Sequence, residues 1–339
     1  MLALRRGVVL SAGDPAGPMQ ELEVRLGPER RPALADVALV GPAGTGDEVV
    51  VNVAAVDLGL GSGGYDLVHV NLTRGLRAEG ELGAHVMKLN YTSLQHAVHP
   101  VEAVTPPAAA LATAPVAVAF LHGQLAPLAW AFHEAAPGAR LGYVQTAGGA
   151  LPGPLSDVVR DLRRRDLLAG HLTAGPAYGG ADGDAITTAG ALAHGFTDLH
   201  WHAAVCGPGP GILGSGTRLG HGGMVALESA HTAAALGCPV VVAPRRSSAD
   251  PRPRHRGLSH HAATMLRLAL VPLVVATAGE APEPDVAHHD WRRGDADLDG
   301  YAASGLPART MGRSIAEDPA FFAAALAAGS VLAGIMRAA

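Results

Sequence analysis

The sequence is poor in lysine, in cysteine and in aromatic residues. Lys88 is the single lysine among 25 basic residues, which excludes the phosphate-binding loop whose lysine must reach the phosphates. Cys206 and Cys238 have no companion that would suggest a disulfide framework or a cysteine zinc site, so we expect two reduced core thiols. The chain has no long basic run and a formal net charge of -5. Nucleic acid is therefore not expected as a partner.

Sequence features that direct a chain to a membrane are also missing. The first seven residues lead into strand-like sequence and not into the apolar segment of a secretory signal. Residues 321–336 are small and apolar, but this stretch is shorter than a usual span and follows the helix-start signal Glu317-Asp318-Pro319. We expect a buried terminal helix, a cytoplasmic protein and no membrane partner.

The composition that is present predicts two packed domains. With 339 residues, 48% of them hydrophobic, and 44 glycines, the chain is long enough for two separate cores. We predict a small barrel-like β-domain over residues 1–75, a strand with a proline- and alanine-rich connector over residues 76–113, and an α/β domain over residues 114–339.

Residues up to about 75 show the period of β-strands. Leu22, Val24 and Leu26 alternate with charged residues, and Val68 and Val70 alternate with polar ones. Further strands are predicted at residues 7–10, 36–40 and 48–53. About five short strands between Gly, Pro and Asp turns are typical of a small barrel.

The larger domain alternates apolar strand-like runs with helical patterns. The predicted strands are residues 116–121, 141–145, 171–174, 199–206, 240–243 and 273–276. Such alternation predicts a mostly parallel sheet between two layers of helices, a Rossmann-like three-layer fold. Ligands bind such sheets beyond the carboxyl ends of the strands.

The loop after the fourth predicted strand is rich in glycine. Its candidate ligand-binding residues are Gly207, Gly209, Gly211, Gly216 and Thr217. Closely spaced glycines let backbone N–H groups approach an anion, while a structural glycine turn is the alternative. Gly179 and Gly180, after the third strand, are further candidates for ligand binding.

The loop after the fifth predicted strand concentrates arginine and histidine. Arg245, Ser247, Arg252 and Arg254 are the candidates for binding an anion, since guanidinium groups match carboxylate and phosphate. In the same loop, the candidate catalytic residues are His255, His260 and Asp250, because a histidine suits proton transfer near neutral pH. A solvated basic loop is the alternative reading.

A divalent metal ion is left open as a cofactor. If one binds, the candidate ligands are His255, His260, His261, Asp182 and Asp184, although their spacing matches no compact metal motif. Lys88 is an additional candidate ligand-binding residue because it is the single lysine of the sequence. We expect it near the α/β cleft.

Several of these motifs resemble an uncharacterised bacterial, actinobacterial-type family of unknown function. The motifs, over nearly the whole chain, are residues 55–61 with Gly63, Gly64 and Tyr65, then residues 87–95, then residues 207–217 with their glycines, and residues 245–261 with Asp250, Arg252, Arg254, His255, Gly257, Ser259, His260 and His261. The family pattern has an acidic residue where this chain has Ala147. The resemblance supports the site residues and implies no particular reaction.

The sequence therefore favours an enzyme that binds a small anionic metabolite, phosphorylated or carboxylated, at the carboxyl ends of the sheet strands. The alternative is a ligand-sensing or assembly protein that uses the same pocket without turnover. Turnover separates the two, and homo-oligomerisation is left open.

Overall fold

The chain divides into two compact units. The computed structural model describes residues 2–15, 17–77, 80–102 and 114–338. Contacts group residues Met1–His99 into the first unit and Pro100–Ala339 into the second. Residues 103–113 of the predicted connector lie outside the described residues.

The first unit contains the predicted closed barrel. Its strands are β1 (Leu4–Ala12), β2 (Met19–Leu26), β3 (Glu29–Asp36), β4 (Glu48–Asn52) and β5 (Asp66–Asn71), with the short helices α1 (Val37–Val40) and α2 (Ala54–Asp57). They close in the order β1-β2-β3-β5-β4. A hairpin of β6 (Val86–Lys88) and β7 (His96–Val98) follows, and the buried Lys88 ends β6.

One predicted barrel strand was misplaced. Residues 36–40 form the end of β3 and the helix α1, because the Asp36 side chain accepts a hydrogen bond from the Ala38 backbone N–H and caps the helix. The strand that the prediction missed is β3, whose first half carries Arg30, Arg31 and Pro32 and so lacks an apolar alternation.

The second unit is built on a parallel sheet. Its strands in chain order are β8 (Val116–Ala119), β9 (Leu141–Thr146), β10 (Gly170–Thr173), β11 (Ala203–Pro208), β12 (Val240–Ala243), β13 (Arg246–Ser247), β14 (Gly257–Leu258), β15 (Val274–Thr277), β16 (Asp290–Arg293), β17 (Arg309–Thr310) and β18 (Arg313–Ser314). The seven-stranded sheet has the order β10-β9-β11-β8-β12-β15-β16, with every neighbouring pair parallel. Two antiparallel pairs, β13 with β14 and β17 with β18, lie outside it.

Helices cover both faces of the sheet, which confirms the three-layer α/β fold. The helices are α3 (Leu125–Ala135), α4 (Asp157–Arg164), α5 (Thr188–Thr197), α6 (Val225–Ala235), α7 (His260–Leu268), α8 (Leu298–Ala303) and α9 (Pro319–Ala338). Helices α4, α8 and α9 pack with α3, whereas α5 and α7 pack with α6. The central strands β8 and β12 are apolar throughout, and every residue of both is buried between these layers.

Two strand predictions for this unit need correction. The strand predicted at residues 199–206 starts only at Ala203, and His200 before it has a positive φ of 52°, which no extended strand allows. The seventh strand, β16, was not predicted. It is an edge strand with the sequence Asp-Trp-Arg-Arg, so it has no buried apolar run to reveal it.

The predicted terminal helix is confirmed as α9. Within the described residues, it is the one helix long and apolar enough to cross a membrane, with 61% of its most apolar window buried. It packs along α3 and over β12 and β15, so it belongs to the core of the second unit. The thiols of Cys206 and Cys238 are also buried and form no disulfide, as expected from the sequence.

Candidate functional site

The carboxyl ends of β11, β8 and β12 lie side by side in the middle of the sheet. The chain leaves β8 towards the helix layer of α3, and it leaves β11 and β12 towards the layer of α6 and α7. Loops that diverge to opposite faces leave a crevice between them, which is where ligands bind in open α/β sheets. The glycine-rich loop and the arginine-rich loop both start at this crevice.

A cavity of about 600 Å³ occupies the crevice. It is lined by Leu121 after β8, by Ile212, Gly214, Ser215, Gly216 and His221 after β11, by Arg245, Asp250, Pro251, Arg252, Arg254, His255 and His261 after β12, and by Met311 and Arg313 of the β17–β18 hairpin. Its size is that of a small-molecule site.

Asp250 is the centre of an ion-pair network in the cavity wall. Its fully buried carboxylate accepts hydrogen bonds from Arg245 Nη2 at 3.0 Å and from Arg252 Nε and Nη2, both at 2.9 Å. The hydrogen bonds and charge of Arg252, aided by Arg245, hold the pKa of Asp250 far below its usual range. Burial lowers the pKa of Arg245 to about 10. The candidate catalytic residue Asp250 is thus a carboxylate that is charged at neutral pH and holds Arg245 and Arg252 in place.

A second buried carboxylate attaches the β17–β18 hairpin to the arginine-rich loop. Asp318 accepts hydrogen bonds from Ser247 Oγ at 2.6 Å, from the Ser248 backbone N–H at 2.8 Å and from Arg313 Nε at 2.9 Å. The Ser247 hydroxyl also accepts from the Asp250 backbone N–H at 2.9 Å. Ser247, a candidate for ligand binding, therefore uses its hydroxyl to hold the loop. Arg313 is a further residue of the cavity lining, and no sequence pattern predicted it.

The cavity wall carries more positive than negative charge. Its lining residues carry one carboxylate, that of Asp250, and four guanidinium groups, those of Arg245, Arg252, Arg254 and Arg313. Arg254 is exposed and has no hydrogen bond or ion pair with any described residue. Two buried donors, Arg245 Nε and Arg313 Nη2, make no hydrogen bond within the described part of the chain, and Arg313 Nη2 lies 3.7 Å from the Asp250 carboxylate.

Three histidines form a cluster beside these arginines. One ring nitrogen from each of His255, His260 and His261 lies within 4.8 Å of the others, and Nε2 of His260 is 3.0 Å from Nε2 of His261. The ring of His221, in the glycine-rich loop, stacks on His261 with centroids 4.0 Å apart. His221 was missed by the sequence analysis, which singled out the glycines and Thr217 of this loop.

The clustered histidines are neutral at physiological pH. Burial and the charges of Arg245 and Arg252 lower the pKa of His255 to about 3. Burial, His261 and Arg254 lower the pKa of His260 to about 4. Each neutral ring therefore has one unprotonated nitrogen, and its lone pair can accept a proton or bind a metal ion.

The glycine-rich loop enters the cavity only in part. Gly214 and Gly216 line it, and a side chain at Gly216 would meet open space. Gly209 instead packs against the loop after β9, where an added Cβ would lie 2.3 Å from the Ala150 carbonyl oxygen. Of the remaining candidates, Gly207 lies in β11, Gly211 has a positive φ of 66°, and Thr217 Oγ1 hydrogen-bonds to Ser215 Oγ within the loop. These residues shape the loop.

Other candidate residues lie elsewhere in the structure. Gly179, Gly180, Asp182 and Asp184 follow β10, the edge strand at the far side of β9 and β11. Asp182 accepts a hydrogen bond from Arg163 Nη2 at 2.9 Å, and Asp184 from the Thr173 hydroxyl. Lys88 belongs to the first unit, so its place near the cleft stays a prediction.

Gln124 is a further residue that the sequence reading did not single out. Its fully buried amide lies between the ends of β8 and β12. Oε1 accepts hydrogen bonds from the backbone N–H groups of Phe120 and Leu121, at 2.9 and 3.1 Å, while Nε2 donates to the Ala243 carbonyl oxygen at 2.9 Å. This side chain fixes the strand end from which Arg245 projects.

The chain belongs to the family described as "Protein of unknown function (DUF3866)", which matches residues 32–329. The match includes both site loops and confirms the resemblance to a family of unknown function. No curated protein and no solved structure shows significant similarity to the chain.

Proposed function

We propose that the protein is an enzyme acting on a small anionic metabolite, phosphorylated or carboxylated, which binds in the arginine-lined cavity. The observation that carries this proposal is the excess of guanidinium groups over carboxylates in the cavity wall. We further propose that it acts in the cytoplasm, where its two buried thiols stay reduced.

The electrostatics of the wall favour an anion over empty solvent. Arg245 is only 2% exposed, so water cannot solvate its charge, and Asp250 compensates for only part of the positive charge around it. An anion with two charges would offset more of the excess and supply acceptors for Arg245 Nε and Arg313 Nη2. Planar guanidinium forks match phosphate and carboxylate oxygens.

The histidine cluster supplies the reactive part of the proposed enzyme. His255 and His261 line the same cavity as the arginines. Their neutral rings offer lone pairs next to a bound anion, as a general base or a metal centre requires. A protein that only senses its ligand would bind the anion equally well without turning it over.

Changing Arg254 to alanine tests anion binding with little risk to the fold. Because Arg254 is exposed and unpaired within the described residues, we expect the free variant to unfold within about 0.5 kcal/mol of the parent. Each charge-assisted hydrogen bond to the anion contributes about 1.5–3 kcal/mol, so the affinity for pyrophosphate or sulfate should fall at least about tenfold. The shift of the thermal unfolding midpoint with anion concentration measures this.

Two matched variants separate the charge from its position. Arg25→Ala removes one exposed positive charge from the barrel and should leave anion protection unchanged. Arg254→Lys keeps the charge and should retain part of the affinity. Equal anion protection of the parent and Arg254→Ala would contradict the proposal. Release of phosphate from p-nitrophenyl phosphate or pyrophosphate tests turnover, and anion binding without any turnover would favour the sensing or assembly protein.

A further inference from the structure

The histidine cluster has the dimensions of a metal site. Two ligand nitrogens about 2.0–2.1 Å from one ion lie about 3.0 Å apart at right angles and about 3.4 Å apart at a tetrahedral angle. The Nε2 atoms of His260 and His261 are 3.0 Å apart, and the third nitrogen, from His255, is within 4.8 Å of both. A small inward movement of His255 completes a three-nitrogen set.

A hydrogen bond orients one of the three rings, that of His261, as metal ligands are oriented. Nδ1 of His261 lies 3.1 Å from the Arg218 carbonyl oxygen, to which it donates, so Nε2 carries the lone pair. Nδ1 of His255 lies 2.9 Å from Ser259 Oγ, which holds this ring next to the other two. Such partners on the far nitrogen fix the tautomer and direction of metal-binding histidines.

We propose that His255, His260 and His261 bind one divalent transition-metal ion, with the anion in the cavity completing its coordination. Imidazole nitrogens favour zinc, copper, iron or nickel over magnesium and calcium. Three protein ligands leave a coordination position open, as in catalytic zinc sites. His255 and His261 line the cavity, so the open position faces the proposed substrate.

Without a metal ion, a hydrogen bond joins the Nε2 atoms of His260 and His261. Since His261 donates through Nδ1, its Nε2 accepts the Nε2 proton of His260. Arg245 Nη1 lies 3.2 Å from Nδ1 of His255 and donates to it. Metal binding moves the proton of His260 to Nδ1 and displaces Arg245 from His255, and Asp250 retains Arg245 through Nη2.

The positive charge of the wall makes metal binding depend on the anion. Arg245 and Arg254 lie close enough to lower the pKa of the clustered histidines, and they also repel a divalent cation. An anion between the guanidinium groups and the ion removes this repulsion, so each ligand raises the affinity for the other by the same factor. The inference therefore rests on the proposed anion site.

The chain holds a second pair of adjacent histidines that serves as a control. His288 and His289 have ring centroids 4.1 Å apart. Both ring nitrogens of His289 have backbone partners, the Leu273 N–H at 3.2 Å and the Leu266 carbonyl oxygen at 2.8 Å. His289 offers no lone pair, and we expect no metal ion at this pair.

Cobalt(II) titration of the full chain, chelator-treated and without a histidine tag, tests the site. In the presence of sulfate we expect visible d–d absorption bands that saturate at one ion per chain, with an affinity at least about tenfold higher than without sulfate. The half-buried His260 should tolerate replacement by alanine or glutamine. Each change should weaken cobalt binding about 100-fold, while His288→Ala should bind like the parent. Circular dichroism and thermal unfolding of the metal-free variants verify that they fold.

The outcome that overturns the metal site is the absence of these bands in the parent, or equal cobalt binding by the parent and the folded His260 variants. Sulfate protection measured with excess EDTA tests the anion cavity alone. Protection in EDTA without cobalt binding leaves the proposed function standing and removes the metal, whereas cobalt binding that sulfate does not strengthen removes the coupling to the anion.

Discussion

Replacing Asp250 with asparagine is expected to lower the free energy of unfolding by about 3–5 kcal/mol, because it breaks a buried ion pair from one side. Arg245 would remain buried with no carboxylate at Nη2, and the hydrogen bonds from Arg252 would lose their charged acceptor. Chemical denaturation measures the change. Sulfate should recover part of the lost stability, since an anion in the cavity lies beside the same guanidinium groups.

The pH dependence of this effect follows from the lowered pKa of Asp250. A carboxyl whose folded pKa is lowered stabilises the protein fully above its unfolded pKa of about 3.9 and loses that contribution as the pH falls towards the folded value. The difference between parent and variant should therefore shrink below about pH 4. Asp290→Asn serves as the control, because its ion pair with Arg292 is half-exposed and should contribute at most about 1 kcal/mol. Equal losses in both variants would contradict the buried-network interpretation.

Replacing Gln124 with methionine is expected to cost about 3 kcal/mol or more of stability. The change keeps the length of the side chain but leaves the backbone N–H groups of Phe120 and Leu121 and the Ala243 carbonyl without their partners. Each buried unsatisfied group costs about 1–3 kcal/mol. Because Gln124 joins the end of β8 to the end of β12, anion protection should weaken as well. Chemical denaturation and anion-dependent thermal shifts check the two effects.

Gln95→Met is the matched substitution for Gln124. Gln95 is exposed and accepts one hydrogen bond from the Tyr91 backbone N–H, so its loss should change the free energy of unfolding by less than about 0.5 kcal/mol. If Gln124→Met unfolds like Gln95→Met, the amide is not what holds the two strand ends together.

Strands buried on both faces were the easiest part of the fold to predict. Runs such as Val116–Ala119 and Val240–Ala243 are apolar throughout, because helices cover both sides of them. Two of the strands that were missed, β3 and β16, carry arginines on exposed positions and so show no apolar run. Their place is determined by partners distant in sequence, which no local pattern records.

The candidate site was predictable in its loops and not in its detailed membership. Glycines after β11 and arginines after β12 follow strands whose carboxyl ends are neighbours of β8. Local sequence patterns do not reveal the order of strands in a sheet. Asp182 follows the edge strand β10, so the sequence alone could not show that it is remote from His255. Arg313 arrives from a two-residue strand of a late hairpin, which has no sequence signal of its own.

The most direct test of the central claim is the position of a bound anion in a crystal. Tungstate is a heavy-atom analogue of phosphate whose anomalous scattering locates it without assumptions about the protein. We predict an anomalous peak inside the cavity, within hydrogen-bonding distance of the Arg254 guanidinium group and near Arg313 and His255. Tungstate peaks confined to the outer surface, with none in the cavity at saturating concentration, would contradict the account.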